Sequence, residues 1–181
     1  MGDWSERETL FRQYAQGVAL LKAAIAAVPT AALAWRPARG EWSVHEIVMH
    51  CADFEINATA RLGHLVAEEG VTLQGNNPDL WATALDYHSR PLDVAVAAVE
   101  AVRANTEALI RLLPDSAWKR EAPHATRGRY STRDWLRIYS THLHDHAVQI
   151  DNAVSAWRQS HHDAPSRARP GGAVPSPQAA S

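Results

Sequence analysis

Apolar residues recur at spacings of three and four along four long stretches of this chain, and no run alternates strongly enough to make a convincing strand. In the first stretch, Leu10, Tyr14, Val18, Leu21, Ile25 and Val28 form one stripe, and Pro29 stops it. Ser5 with Glu8 reads as the capping box that opens this helix. A loop over 31–42 leads to a second capping box, Ser43 with Glu46, flanked by Trp42 and Ile47 in hydrophobic-staple positions. Ile47, His50, Cys51, Phe54, Ala58 and Leu65 trace the buried face of this second helix. The third begins at Pro91 and stops at Pro114, with Val99, Val102, Thr106, Leu109 and Leu113 as its core face. The fourth starts from a cap at Ser131, has Tyr130 and Trp135 in staple positions, and runs to about Trp157.

The connections carry as much information as the helices. Residues 70–90 join helices two and three, with a short helical turn expected around Leu80 to Leu85. A connection this long permits a crossover, so the two helices can lie side by side in the same direction. Residues 115–130 read as a polar loop. The last stretch, 159–181, contains four prolines and almost nothing apolar to bury, so it is expected to be a disordered tail on a domain of residues 1–158.

Bulk composition narrows the function. The 181 residues suit one domain, and 46% hydrophobic content supplies a core. A net charge of −2 with dispersed Lys and Arg gives no electrostatic footprint for nucleic acid. The single cysteine, Cys51, excludes an intrachain disulfide framework and a Cys-rich zinc module. No signal peptide, myristoylation motif or membrane span is evident, so the expected location is the cytoplasm.

Ten histidines remain to be explained. A helix turns about 100° per residue, so His142 and His146 lie about 40° apart and one turn along the same face. That face continues through Trp135, Tyr139, Gln149 and Ala153, beside an apolar stripe of Leu136, Leu143, Ala147, Ile150, Val154 and Trp157. His144 is roughly 200° around from His142 and belongs to the solvated side with Asp145. Two buried imidazoles need partners, because each unpaired buried polar group costs about 1–3 kcal/mol. A divalent metal satisfies both; so would Gln149, Tyr139 or water. His50, on the buried stripe of helix two, is a third inward histidine, and three protein ligands with open positions are characteristic of catalytic metal sites. His45 is about 140° around from His50 and expected to be exposed, and His64 lies about 21 Å along the helix, too far to share an ion. His88, His124, His161 and His162 fall in loops or tail.

Two motifs, "WSVHEIVMHCADFE" and "HLHDHAVQI", together with their separation and the Pro-containing turn before Trp42, resemble the DinB-like (DinB/YfiT-like) superfamily over about residues 5–158. The resemblance implies an all-α fold: a four-helix bundle, up-down-down-up, with a long crossover between helices two and three. It implies a divalent metal, zinc, nickel or iron, held by His50, His142 and His146. Asp145 stands where many members have a further histidine. The resemblance also implies several possible activities. A low-molecular-weight thiol activated for transfer to an electrophilic small molecule is the leading expectation. Hydrolysis by metal-bound hydroxide and a non-catalytic, stress-associated metal-binding role are the alternatives. A homodimer is common in such families. No catalytic residue is singled out; Glu55, Asp53 and Tyr139 are near the ligands in sequence, while Cys51 reads as core packing.

Overall fold

A computed structural model describes residues 2–162, with side chains from Ser5 onward. Its elements are α1 (Gly2–Ala26), α2 (Val44–Ala67), α3 (Pro78–Ala84), α4 (Leu92–Leu112), strands β1 (Glu121–His124) and β2 (Gly128–Ser131), and α5 (Thr132–His162). The long helices α1, α2, α4 and α5 form the four-helix bundle, and α3 sits in the crossover.

Side-chain contacts fix the directions of the helices. Glu55 meets Arg103, and one turn on Thr59 meets Thr106, so α2 and α4 run the same way. Glu6 pairs with Arg137 and Gln13 with His144, so α1 and α5 are also parallel to each other. Trp135 meets Ala58 whereas His142 meets His50, which makes α2 and α5 antiparallel. This is the up-down-down-up order.

Local chemistry accounts for the boundaries. Ser43 and Glu46 form the expected capping box: Ser43 Oγ accepts from the Glu46 amide and Glu46 Oε2 accepts from the Ser43 amide at 2.9 Å. Arg36 Nε, 2.9 Å away, also donates to that buried carboxylate. Trp42 packs on the core cluster that contains Ile47. Ser131 caps α5 through a reciprocal exchange with Asp134. Asn77 caps α3, with Pro78 in its first position, where a missing N–H costs nothing. The cap expected at Ser5 is not formed: α1 already begins at Gly2, and the Ser5 carbonyl accepts from Thr9 Oγ1 as an interior helical group does.

Three further expectations are corrected. The segment 115–130 is not simply a polar loop. It contains a two-stranded antiparallel hairpin, with Ala122 opposite Tyr130 and His124 opposite Gly128. Pro123 and the brevity of the strands hid it. Gly128 takes φ 76°, a left-handed conformation that closes the three-residue turn at little cost. Leu73 of the crossover adds a bridge to the hairpin through Pro123 O and the Ala125 amide. Second, α4 is rotated from the expected face. Ala95, Val99, Arg103, Thr106 and Ile110 are buried, while Leu109 is exposed and Val102 only half-buried. Third, α5 continues past Trp157 to His162, whose neighbour His161 stacks on Trp157 at 4.6 Å. The remaining tail, 163–181, lies outside the described residues. No helix among the described residues is long and apolar enough to cross a membrane.

Candidate metal centre

The antiparallel contact of α2 with α5 brings His50 to His142 and His146. One ligand atom from each of the three lies within 4.8 Å of the others. His142 Nε2 and His50 Nε2 are 3.4 Å apart. His50 is buried and held between aromatic neighbours, Trp42 at 4.8 Å and Phe54 at 4.0 Å between ring centroids. Trp81 of the crossover helix packs edge-on against Phe54, so α3 is tied to the aromatic wall beside His50.

The outer contacts orient the rings. Glu55 Oε1 lies 2.8 Å from His142 Nδ1. An ionised carboxylate can only accept, so His142 carries a proton on Nδ1, and Nε2 is the nitrogen it has left to offer a metal. His146 Nδ1 donates to Gln149 Oε1 at 2.8 Å, which fixes its lone pair on Nε2 in the same way. His50 Nδ1 is buried without any partner. Burial, then the neighbouring His146 and His142, pushes the His50 imidazole far below its usual range. Burial and His142 lower His146 to about 4 despite the opposing Gln149 bond. Neutral imidazoles with lone pairs turned toward one point are the donor set of a divalent cation, so the residues fit the group.

Behind His142 stands a buried ion pair. Glu55 and Arg103 side chains are 1% and 3% exposed, with Arg103 Nε 2.7 Å from Glu55 Oε2. Arg103 also donates to the Tyr14 and Tyr139 carbonyls, and its guanidinium lies 3.8 Å from the Tyr14 ring centroid. All four bundle helices therefore meet at this one side chain. Burial alone would raise the Glu55 carboxyl, but the Arg103 charge and the His142 hydrogen bond outweigh it and hold it below the usual carboxylate range.

The other sequence candidates fall into place around this centre. Asp53 is bound by Arg90 at 2.6 and 2.9 Å and lines neither cavity beside the triad. Glu55 is committed to orienting His142 rather than free to move protons. Tyr139 is buried, packs edge-on to His142 at 5.6 Å, and its hydroxyl accepts from Arg61 at 3.1 Å. Cys51 is wholly buried, and burial drives its thiol pKa up, so it is core. Asp145 is exposed and accepts from Thr141, as expected. His144 is not on a purely solvated face: it is half-buried, with Nε2 3.0 Å from the Gln13 carbonyl of α1. His45, expected to be exposed, is half-buried with Nε2 2.8 Å from Arg90 O.

Two cavities open beside the triad, both lined by His50 and His146. One, of about 750 Å³, lies toward Trp42 and the C-terminal half of α5. The other, of about 250 Å³, lies toward the hairpin and is lined by His142, Tyr139, Arg61, Asn76, His124 and Arg127 among others. Periodicity had no means of bringing the last four there. Arg61 faces the cavity from α2, Asn76 comes from the crossover, and His124 and Arg127 come from the unexpected hairpin.

A sequence model of the DinB superfamily matches residues 13–150. The chain is 28% identical over 111 residues to a protein of Oceanobacillus iheyensis, which covers 61% of this chain and 64% of that protein. It is 26% identical over 112 residues to YfiT of Bacillus subtilis, covering 61% and 63%. Both relatives are designated candidate metal-dependent hydrolases. The chain thus matches a little less than two thirds of the length of these relatives. The solved structure of Bacillus subtilis YfiT, described as a four-helix bundle of unusual topology, superposes with a TM-score of 0.77 at 22% identity, over 86% of this chain and 89% of that one.

Proposed function

The chain belongs to the DinB superfamily, and from that premise we propose that it is a metal-dependent hydrolase in which His50, His142 and His146 hold one divalent ion. The observation that carries this reading is the convergence of three imidazoles, within 4.8 Å, on a point flanked by two cavities. The designation of the relatives as candidate hydrolases supports the reaction class. The chemistry such an ion supplies is polarisation of a carbonyl or phosphoryl oxygen and a lowered pKa for water. Three neutral ligands leave its charge undiminished for that purpose.

The protein's own contribution is positioning. Glu55 and Gln149 hold the ligand rings of His142 and His146 in their tautomers. Trp42 and Phe54 enclose His50 and keep bulk water from that side. The Tyr139 hydroxyl accepts from Arg61, which leaves its own proton free to donate into the smaller cavity.

Thiol transfer is the second branch of the same chemistry, since a divalent ion held there would lower the pKa of a thiol as it would that of water. The one cysteine among the described residues, Cys51, is buried and supplies no thiol of its own to the site. The deciding experiment compares metal-loaded wild type with His142→Ala on a panel of carboxylic and phosphoric esters and amides. Hydrolysis by wild type that is absent in the variant supports the reading. No hydrolysis, together with conjugation of bacillithiol, mycothiol or glutathione to monochlorobimane, would replace it with thiol transfer.

A further inference from the structure

The two cavities beside the triad differ in charge. The larger is rimmed by Glu41 and Asp79. The smaller has no carboxylate among its lining residues and carries two arginines.

Neither arginine is neutralised. Arg61 is half-buried and gives three of its five N–H groups to neutral acceptors, Tyr139 Oη at 3.1 Å, Gln74 O at 3.0 Å and Asn76 Oδ1 at 3.2 Å. Arg127, on the hairpin turn, is exposed and has no ion pair within the described residues. Their joint field reaches His124. Burial first, then the charges of Arg61 and Arg127, hold its imidazole below the usual range.

The neutral groups lining the cavity are donors as well. Asn76 Oδ1 accepts from Arg61, and Nδ2 is buried with nothing to accept its protons. Such an orphaned donor costs about 1–3 kcal/mol, a cost that a ligand oxygen in the cavity would remove. The Thr126 amide donates to His124 Nδ1 at 3.2 Å, so the His124 proton sits on Nε2. Tyr139 has its hydroxyl proton free. Two guanidinium groups, an amide N–H₂, an imidazole N–H and a phenol thus surround one 250 Å³ space that His142 also lines. Guanidinium forks with supporting donors match the oxygens of a carboxylate or phosphate.

We propose that this chamber is an anion subsite: it binds a carboxylate or phosphate group of the substrate and directs the adjacent triad toward anionic small molecules. The catalytic meaning of the subsite rests on the hydrolase reading above, whereas anion binding itself does not.

The test is titration calorimetry on the full chain, zinc-loaded and zinc-free, with succinate, inorganic phosphate and the neutral isostere succinamide. Variants are Arg127→Gln, which breaks no internal bond, and Arg61→Gln, with Arg61→Lys as a charge-retaining control. Succinate or phosphate should bind the zinc-free protein at millimolar concentrations or tighter, and succinamide should not. Each Gln variant should weaken the anion about tenfold, a change of about 1.4 kcal/mol, with zinc stoichiometry unchanged, and Arg61→Lys should retain more affinity than Arg61→Gln. The tighter of the two anions assigns the group. Absence of anion binding, equal binding of succinamide, or affinity indifferent to Arg127→Gln overturns the proposal. Zinc binding without an Arg-dependent anion site removes the subsite and leaves the metal centre; an Arg-dependent anion site without zinc binding does the reverse.

Discussion

Glu55→Leu is the most informative single change. It removes the carboxylate that faces both Arg103 and His142 while keeping an apolar side chain of similar length. Arg103 would then stand 3% exposed with no counter-charge. For charge centres about 4 Å apart at an effective dielectric near 20, the lost attraction is about 4 kcal/mol. Stripping one partner from a buried pair costs about 3–5 kcal/mol in comparable cases. Arg103 keeps its contacts to the Tyr14 and Tyr139 carbonyls, so the side chain cannot simply swing out to water. The expected loss is therefore about 3–4 kcal/mol, read by urea unfolding followed by circular dichroism. The double variant Glu55→Leu/Arg103→Met removes both charges and should lose no more than roughly 2 kcal/mol, because a buried pair as a whole contributes little net stability. A Glu55→Leu loss below about 1 kcal/mol, or a double variant as unstable as the sum of the two single changes, refutes the reasoning. In both backgrounds His142 also loses its acceptor, and zinc affinity should fall about 10- to 100-fold by competition titration.

Gln149→Ala makes the matching test at the exposed end of the site: water can replace the lost acceptor of His146, so zinc affinity should drop no more than about tenfold, with the melting temperature unchanged. A drop as large as that of Glu55→Leu would show that burial does not set the strength of these outer contacts. In the metal-free protein, His50 and His146 titrate below their unfolded value of about 6.5. The unfolded chain then binds more protons than the folded one, so stability must decline as pH falls from about 6.5 toward the folded value near 4 for His146. The depressed Glu55 carboxyl adds a further loss in more acid solution, as pH falls below the usual carboxylate range. Urea midpoints that stay flat between pH 7 and 5, and match those of His50→Ala/His146→Ala, would contradict the first effect.

The parts of this molecule legible in the sequence are those governed by short-range rules. The Ser43–Glu46 box, the stripes of α2 and α5 and the inward placing of His50, His142 and His146 follow from helical spacing. The family resemblance supplied the topology that joined them. What escaped was set by charge and by long-range partners. Arg103 sits four residues after Val99 and three before Thr106, squarely on the buried face of α4. A charged side chain is not counted in an apolar stripe, so the periodicity runs from Val99 and Thr106, which are buried, to Val102, Leu109 and Leu113, and passes over Arg103. Groups on the other three helices make its burial tolerable, Glu55 by its charge and Tyr14 and Tyr139 by their carbonyls. Likewise, His144 gains its shelter from a backbone carbonyl of α1. The hairpin that delivers His124 and Arg127 carries a proline and four-residue strands, too little for periodicity to detect.

The parallel pairing of α1 with α5 has a consequence for how the chain is made. The groups that join these helices, Glu6 with Arg137 and Gln13 with His144, are each separated by 131 positions. At synthesis rates of about 5–20 residues per second, the first helix waits roughly 7 to 26 seconds for its principal partner to emerge. Throughout that interval its apolar stripe, including Phe11, Tyr14 and Leu21, has at most the helices made between α1 and α5 to cover it. Packing around α1 is therefore completed only after α5 has been made, however early the other helices assemble.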